Sequence, residues 1–184
     1  MTDMPIQKHW LETFVNLFTL CKINPKETVT ILTGTQSRPI NIKIAQQALK
    51  QMKIPFKTVC VTSKPSKCSP IIRSTGATNA LIGEDLVIKK LKNVDMIVDL
   101  TVEGLMHAPQ TPSILAASSR IMNISNEHPD ILSRLPFDLE LKQTVKNAKK
   151  ICRSSDGMHI TSDAGSDLSV RMRDAVTVGV WGWT

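Results

Sequence analysis

Val94-Asp95-Met96-Ile97-Val98-Asp99-Leu100 decides the fold. Five of its seven residues are apolar and they do not alternate strictly with polar ones. A run this short and this apolar reads as a strand covered on both faces, the pattern of a parallel sheet between helices. Working outward, Val29 to Thr33 is a β-branched strand stopped by Gly34, and Phe56 to Val61 is another that starts after Pro55. Arg120 to Ile124 is the fourth. Between them the apolar spacing turns helical: Pro39 to about Met52, Asn79 to Lys92 and Pro112 to Ser119. Ile6 to Cys21 is an amphipathic helix before the first strand, with Trp10, Phe14, Leu17 and Phe18 on one face. Glu127 to Leu135 and Leu139 to Cys152 are helical pieces after the last. Pro65 to Pro70 reads as irregular.

Strand and helix therefore alternate from residue 28 to about 152, which predicts an α/β, Rossmann-like three-layer parallel sheet with right-handed crossovers. The alternation stops after Cys152. Met158 to Ser162, Leu168 to Met172 and Ala175 to Trp183 read as strands without helices between them, and Asp163-Ala164-Gly165-Ser166 is hairpin-turn chemistry. The predicted division is a Rossmann-like domain over 1–153, then antiparallel hairpin strands of an incomplete, β-rich second domain over 154–184. Trp181-Gly182-Trp183-Thr184 closes the chain on exposed aromatic residues, so a truncated second domain is expected.

The chain has 184 residues and is 41% hydrophobic, but only 4% aromatic with no Tyr, so Ile, Val, Leu, Met and Ala must build the core. A +7 formal charge comes from 23 Lys and Arg against 16 Asp and Glu. Lys142, Lys146, Lys149 and Lys150 lie along a helix with no interleaved aromatics, which reads as solvated surface and not as a nucleic-acid face. Cys21, Cys60, Cys68 and Cys152 are far apart, without a C-x-x-C pair, and read as small apolar residues. No basic segment leads into an apolar one at the N-terminus, and no run reaches the ~18 apolar residues of a membrane span. A cytoplasmic protein with reduced thiols is expected.

Three loops lie where a doubly wound sheet binds ligands, at the carboxyl ends of its strands. Thr33 to Arg38 has one Gly, hydroxyl residues and an Arg, but matches neither a dinucleotide nor a Walker loop. Ser37 as helix cap and Pro39 in the first turn account for it. Asp99 to Pro109 contains Glu103 and His107, whose i, i+4 spacing would put them on one helix face to share a metal or a proton. Gly104 and Pro109 oppose a helix there, and two ligands are too few for a closed metal site. Ser125 to Pro129 offers Ser125 or Asn126 as a helix cap and leaves His128 at the surface. His9 falls on the exposed side of the first helix and His159 in the hairpin. There is no G-x-S-x-G elbow and no H-E-x-x-H. These residues give Glu103 and His107 as the only catalytic candidates, with no metal or cofactor ligands.

One stretch carries more. Thr161-Ser162-Asp163-Ala164-Gly165-Ser166-Asp167-Leu168 fits Thr-Ser-x-x-Gly-Ser-Asp-Leu. It resembles the junction segment of a superfamily holding the metallo-aminopeptidases of the aminopeptidase T group and the 2,5-dihydroxypyridine 5,6-dioxygenases. Ala175-Val176-Thr177 and the Gly/Trp-rich segment after it look more like the dioxygenases. The resemblance covers essentially the whole chain but is specific only from about Leu135 onward. It implies an α/β N-terminal domain, a C-terminal domain that holds the metal, and a full-length relative roughly twice as long. In the dioxygenases that metal is Fe(II), used for ring cleavage of an aromatic N-heterocycle. Its His and carboxylate ligands belong to the C-terminal half, so none carries over to a residue here. The resemblance thus implies a chain that binds no metal, meets its small-molecule substrate through the missing domain, and is inactive alone. A metallo-aminopeptidase is the alternative activity. A non-catalytic Rossmann-like binding or assembly module is the alternative class, and a homo-oligomer stays open because an unpaired strand invites another chain. No nucleic acid or membrane partner is expected.

Overall fold

The computed structural model describes residues 5–62, 78–102, 104–135 and 138–181. By internal contacts the chain divides into two units, Met1–Pro136 and Phe137–Thr184. The sequence reading puts the boundary after residue 153; contacts place the last helix with the hairpin instead.

The first unit runs α1 (Lys8–Leu20), β1 (Val29–Gly34), α2 (Pro39–Gln51), β2 (Phe56–Val61), α3 (Asp85–Leu91), β3 (Met96–Asp99), α4 (Thr111–Leu115), β4 (Arg120–Asn123) and α5 (Pro129–Ser133). Its four strands are all parallel, in the order β2-β1-β3-β4. β1 and β3 are the inner pair and are buried at every position. The strand period of two sends alternate residues to opposite faces. Val29, Ile31, Met96 and Val98 join Trp10, Phe14 and Phe18 of α1 and Ile44, Ala48 and Leu49 of α2. Leu32 and Ile97 join Leu91 of α3, Ile114 of α4 and Leu81 on the other face. The α/β parallel sheet with helices on both faces is as the apolar runs imply. β2 is an edge strand, and Lys57, Thr58 and Cys60 on it are exposed.

Several helices are shorter than their apolar spacing suggests. Helix is expected from Asn79, but residues 79–83 form turns and α3 starts only at Asp85. Gly83 has φ +82, a conformation that cannot continue a helix. The phase therefore restarts, and Leu86, one of the apolar residues of the expected helix, is 78% exposed. α4 stops at Leu115 because Ser118 turns to φ +71. α5 is confined to Pro129–Ser133. The cysteines are not uniformly core residues either: Cys60 is exposed, and Cys21 and Cys152 are half-buried. Burial pushes the Cys21 thiol up from its ordinary value. Cys68 and the irregular stretch Pro65 to Pro70 lie outside the described residues.

The second unit holds α6 (Leu141–Ser154), β5 (Gly157–Thr161) and β6 (Asp167–Arg171), the strands paired antiparallel with Met158 opposite Val170 and Ile160 opposite Leu168. The expected third strand from Ala175 is not formed over 175–181, because no strand lies beside it among the described residues; Gly182 and Trp183 lie outside them. Among the described residues no helix is long and apolar enough to cross a membrane.

Two substitutions separate the real core from the pattern. Phe14→Ala, at a side chain with no exposure, should cost about 3–5 kcal/mol in urea unfolding. Leu86→Ala should stay within about 0.5 kcal/mol. A comparable loss at Leu86 would contradict the late start of α3.

Candidate functional site

β2 leaves the sheet on one side of β1 and β3 on the other, so the strand order reverses between β1 and β3. In open α/β sheets the crevice beyond the carboxyl ends of such a pair is where ligands bind. Gly34 ends β1, Asp99 ends β3 and Asn123 ends β4, and the loops after them meet there.

Asp99 organises the meeting point. It is fully buried. Its Oδ1 accepts from the Thr101 N–H at 3.0 Å and the Thr101 hydroxyl at 2.6 Å, and its Oδ2 accepts from the Leu105 N–H at 2.6 Å. Its main-chain carbonyl accepts from the N–H groups of Ile124 and Ser125. Burial pushes the Asp99 carboxyl up to about 6, against the pull of the Thr101 and Leu105 donors. Gly104 completes the wrap at φ +74; a Cβ there would collide with the Ser125 hydroxyl oxygen. The apolar-run reading of this strand passes over Asp99. The signal was present as Asp-x-Thr at a strand end, the spacing at which a carboxylate caps the backbone two residues on.

The loop after β1 is tied down as well. Ser37 is not the helix cap it is expected to be. It is buried, its hydroxyl donates to the Leu100 carbonyl and accepts from the Gly34 N–H, both at 2.7 Å. Arg38 takes the N-cap position, without a side-chain cap, and Pro39 opens α2. The Arg38 guanidinium donates twice to the Asn126 carbonyl at 3.3 Å, and the Asn41 amide donates to the Glu127 carbonyl at 2.8 Å. So Arg38 and Ser37, in the first of the three candidate ligand loops, hold loops together. Among the described residues, Asn41 Oδ1, Asn126 Oδ1 and Gln110 Oε1 are buried without a hydrogen-bond partner. Such atoms call for water or a ligand N–H or O–H.

Glu103 lies outside the described residues. His107 is exposed in a turn region where no helix forms, since Gly104 has positive φ and α4 begins only at Thr111. The shared helix face for this pair is therefore not observed. His128, expected to be a plain surface residue, is the N-cap of α5 in place of Ser125 or Asn126, its Nδ1 accepting from the Asp130 N–H at 3.2 Å. His159 Nε2 meets Asp167 Oδ1 across the hairpin at 2.7 Å, both exposed.

One cluster was missed. His128-Pro129-Asp130 has the His-x-Asp spacing of a two-His, one-carboxylate metal site, and the fold brings His9 to the same carboxylate. His9 Nε2 lies 3.4 Å from Asp130 Oδ1, and His128 Nδ1 lies 3.5 Å from Asp130 Oδ2. Part of their acceptor capacity is already engaged. Asp130 Oδ1 accepts the Trp10 indole N–H at 2.6 Å, and His128 Nδ1 caps α5. The Trp10 donor, with His9 and His128 beside it, holds the Asp130 carboxyl below the usual range. The cluster is a clamp between α1 and α5 and does not fit an iron ion. Among the described residues no three His, Cys, Asp or Glu side chains are placed to hold a metal.

A family model described as 2,5-dihydroxypyridine 5,6-dioxygenase matches residues 9–184. A curated 2,5-dihydroxypyridine 5,6-dioxygenase of Pseudomonas putida KT2440 is 24% identical over 183 residues, which are 98% of this chain and 51% of that protein. The solved structure of a 2,5-dihydroxypyridine dioxygenase from the same organism superposes with a TM-score of 0.73 at 23% identity, over 91% of this chain and 48% of that one. The likeness extends to the fold, and the chain spans about half the length of the relative it matches.

The unfolded-state value of an Asp carboxyl is about 3.9. Raised to about 6 in the fold, Asp99 favours the native state most when protonated. That contribution is complete below about pH 4 and is lost as pH rises through about 6. Urea unfolding of wild type minus Asp99→Asn should show a fall on the order of 3 kcal/mol from pH 4 to pH 7. A flat difference would place the titration elsewhere. Gly104→Ala should cost about 2 kcal/mol or more, and measurably less in a Ser125→Ala background, because the collision is then gone. Equal costs in both backgrounds would refute the contact.

Proposed function

Because the chain belongs to the 2,5-dihydroxypyridine 5,6-dioxygenase (NicX) family, we propose that it forms the α/β portion of an enzyme that opens a hydroxylated pyridine ring with dioxygen. The observation that carries this reading is the family match along residues 9–184, nearly the whole chain. The metal proposed is Fe(II), which would supply the chemistry of joining dioxygen to an aromatic ring through open coordination positions. No described residue set of this chain fits it, so its ligands are assigned outside the described residues. What the described residues contribute is a frame. Asp99, Ser37, Arg38 and Asn41 hold the chain segments after β1, β3 and β4 together at the sheet's carboxyl edge. The unpartnered oxygens of Asn41 and Asn126 are acceptors there for hydroxyl or ring N–H donors.

On this reading the 184-residue chain alone is catalytically silent, its partner is a small-molecule substrate and not nucleic acid, and its place is the cytoplasm. Oxygen uptake tests it. With 2,5-dihydroxypyridine and added iron(II), the chain alone should consume no oxygen above a protein-free blank. A chimera in which residues 9–184 replace the matching half of the Pseudomonas putida dioxygenase should consume oxygen and stop when a chelator is added. Turnover by the chain alone would overturn the division of labour. A folded, iron-loaded chimera without uptake would count against the ring-cleaving reading.

A further inference from the structure

β3 lies between β1 and β4 in the strand order. Yet Asn126 and Glu127, after β4, are bonded to Arg38 and Asn41, which follow β1. Residues 125–127 therefore pass over the carboxyl end of β3, beside the crevice where the strand order reverses. Both ends of this span are anchored. Ile124 is 3% exposed, and beyond the span His128 caps α5 with its ring against Trp10, ahead of the buried Pro129. Between the anchors Ser125, Asn126 and Glu127 are polar and only half-buried. No apolar side chain pins the middle, which is the makeup of a segment that opens before the fold does.

The closed position carries costs. Ser125 sits at φ +53, a region that a residue with a Cβ adopts at a penalty. The Arg38 guanidinium puts two N–H groups on one neutral carbonyl, each at 3.3 Å, longer than the usual charge-assisted bond. Asn41 Nδ2 donates to the Glu127 carbonyl at 2.8 Å, which fixes the amide and leaves Oδ1 without a partner although Asn41 has no exposure. Asn126 Oδ1 is buried without a partner as well. A buried acceptor that gives up water and gains no donor opposes the state that buries it.

We propose that Ser125-Asn126-Glu127 is a strap that opens and closes as a unit over the carboxyl end of β3, with Arg38 and Asn41 as its latch. Closed, it covers Asp99. Ser125 gives its N–H to the Asp99 carbonyl at 3.1 Å, and its hydroxyl lies against Gly104 in the wrap around the Asp99 carboxyl. Open, it hydrates both amide oxygens, frees the Arg38 guanidinium and the Asn41 amide at the start of α2, and gives a small polar molecule a way to the crevice. Ile124 is the pivot, because its own N–H stays on the Asp99 carbonyl. Access to the switch point is then set by the balance between the latch bonds and the two unpartnered oxygens.

The test is hydrogen exchange of the purified 184-residue chain, followed by NMR without metal or substrate, so its outcome is independent of the ring-cleaving reading. The Ser125 N–H and the Asn41 side-chain amide report the strap. The Ile124 N–H, on the same Asp99 carbonyl, and the Leu100 N–H, on the Leu32 carbonyl, report the sheet beneath it. The first two should exchange about a hundredfold or more faster than the second two, at rates that low urea leaves unchanged, the mark of a local opening. Arg38→Met removes the guanidinium and should speed Ser125 and Asn41 exchange by about tenfold. Asn126→Ala removes an unpartnered oxygen and keeps the carbonyl that Arg38 holds. It should slow both by about threefold or more, whereas a side chain that merely packs would speed them when lost. Unchanged Leu100 exchange checks that each variant stays folded. Equal rates at Ser125, Ile124 and Leu100, faster strap exchange in Asn126→Ala, or a strap indifferent to Arg38→Met would each overturn the proposal.

Discussion

A carboxylate with no exposure to solvent must find its donors inside the protein, and for Asp99 the chain that follows β3 supplies them. Thr101 and Leu105 come from the chain that follows β3, and Ser125 and Ile124 approach the carbonyl of the same residue from the chain that follows β4. Gly104 must be a glycine for this wrap to close, because both its φ and the Ser125 hydroxyl exclude a side chain. The loop after β1 joins the same construction through Ser37 and the Leu100 carbonyl. The carboxyl edge of the sheet is therefore one connected hydrogen-bonded body. No cation is among the causes of the Asp99 shift, and desolvation wins over three donors.

The face of the sheet that α1 covers is held by different means. α1 carries Trp10, Phe14 and Phe18 into the core, and the one polar atom of the indole ring, its N–H, reaches Asp130 of α5. His9 and His128 flank that carboxylate, with His128 set at 90° to the Trp10 ring. Arg120 links β4 to the chain after α1 by donating to the Cys21 carbonyl and pairing with Glu27 at 2.6 Å. Helix packing on this face thus combines a large apolar area with a few directional bonds at its rim, and the bonds define which helix face is buried.

The second unit has another balance. Its hairpin charges are neutralised locally, Asp156 by Arg173, Asp174 by Arg171 and Asp167 beside His159. Its apolar residues are not: Met158, Ile160 and Leu168 are 40–53% exposed and the three outer valines more so. Ion pairing in the hairpin is local, while hydrophobic surface is left over.

Sequence alone determined the layered α/β architecture. Four short apolar runs with helical spacing between them have few ways to bury their faces, and the near-continuous run at Val94 to Leu100 already marks a strand covered on both sides. Thr161 to Leu168 and the Gly/Trp-rich segment near the C-terminus also carried a resemblance to two related enzyme groups, of which the family match along residues 9–184 selects the dioxygenases. Helix limits were legible only where a glycine or proline announced them; Gly83 did so and the apolar spacing around it still misled, because Leu86 fits a helical stripe whose phase the turn resets. Glu103 and His107 show the same limit from the other side, since spacing makes neighbours only if a helix exists to carry it. What tertiary structure alone decided is which polar residues meet. Asp99 with Leu105, Arg38 with Asn126, and His9 with Asp130 are brought together by folding, the last pair across 121 positions. Hydrophobic periodicity is a local property of the chain and can be read along it, whereas a hydrogen bond between distant segments depends on distances that exist only once the sheet has set them.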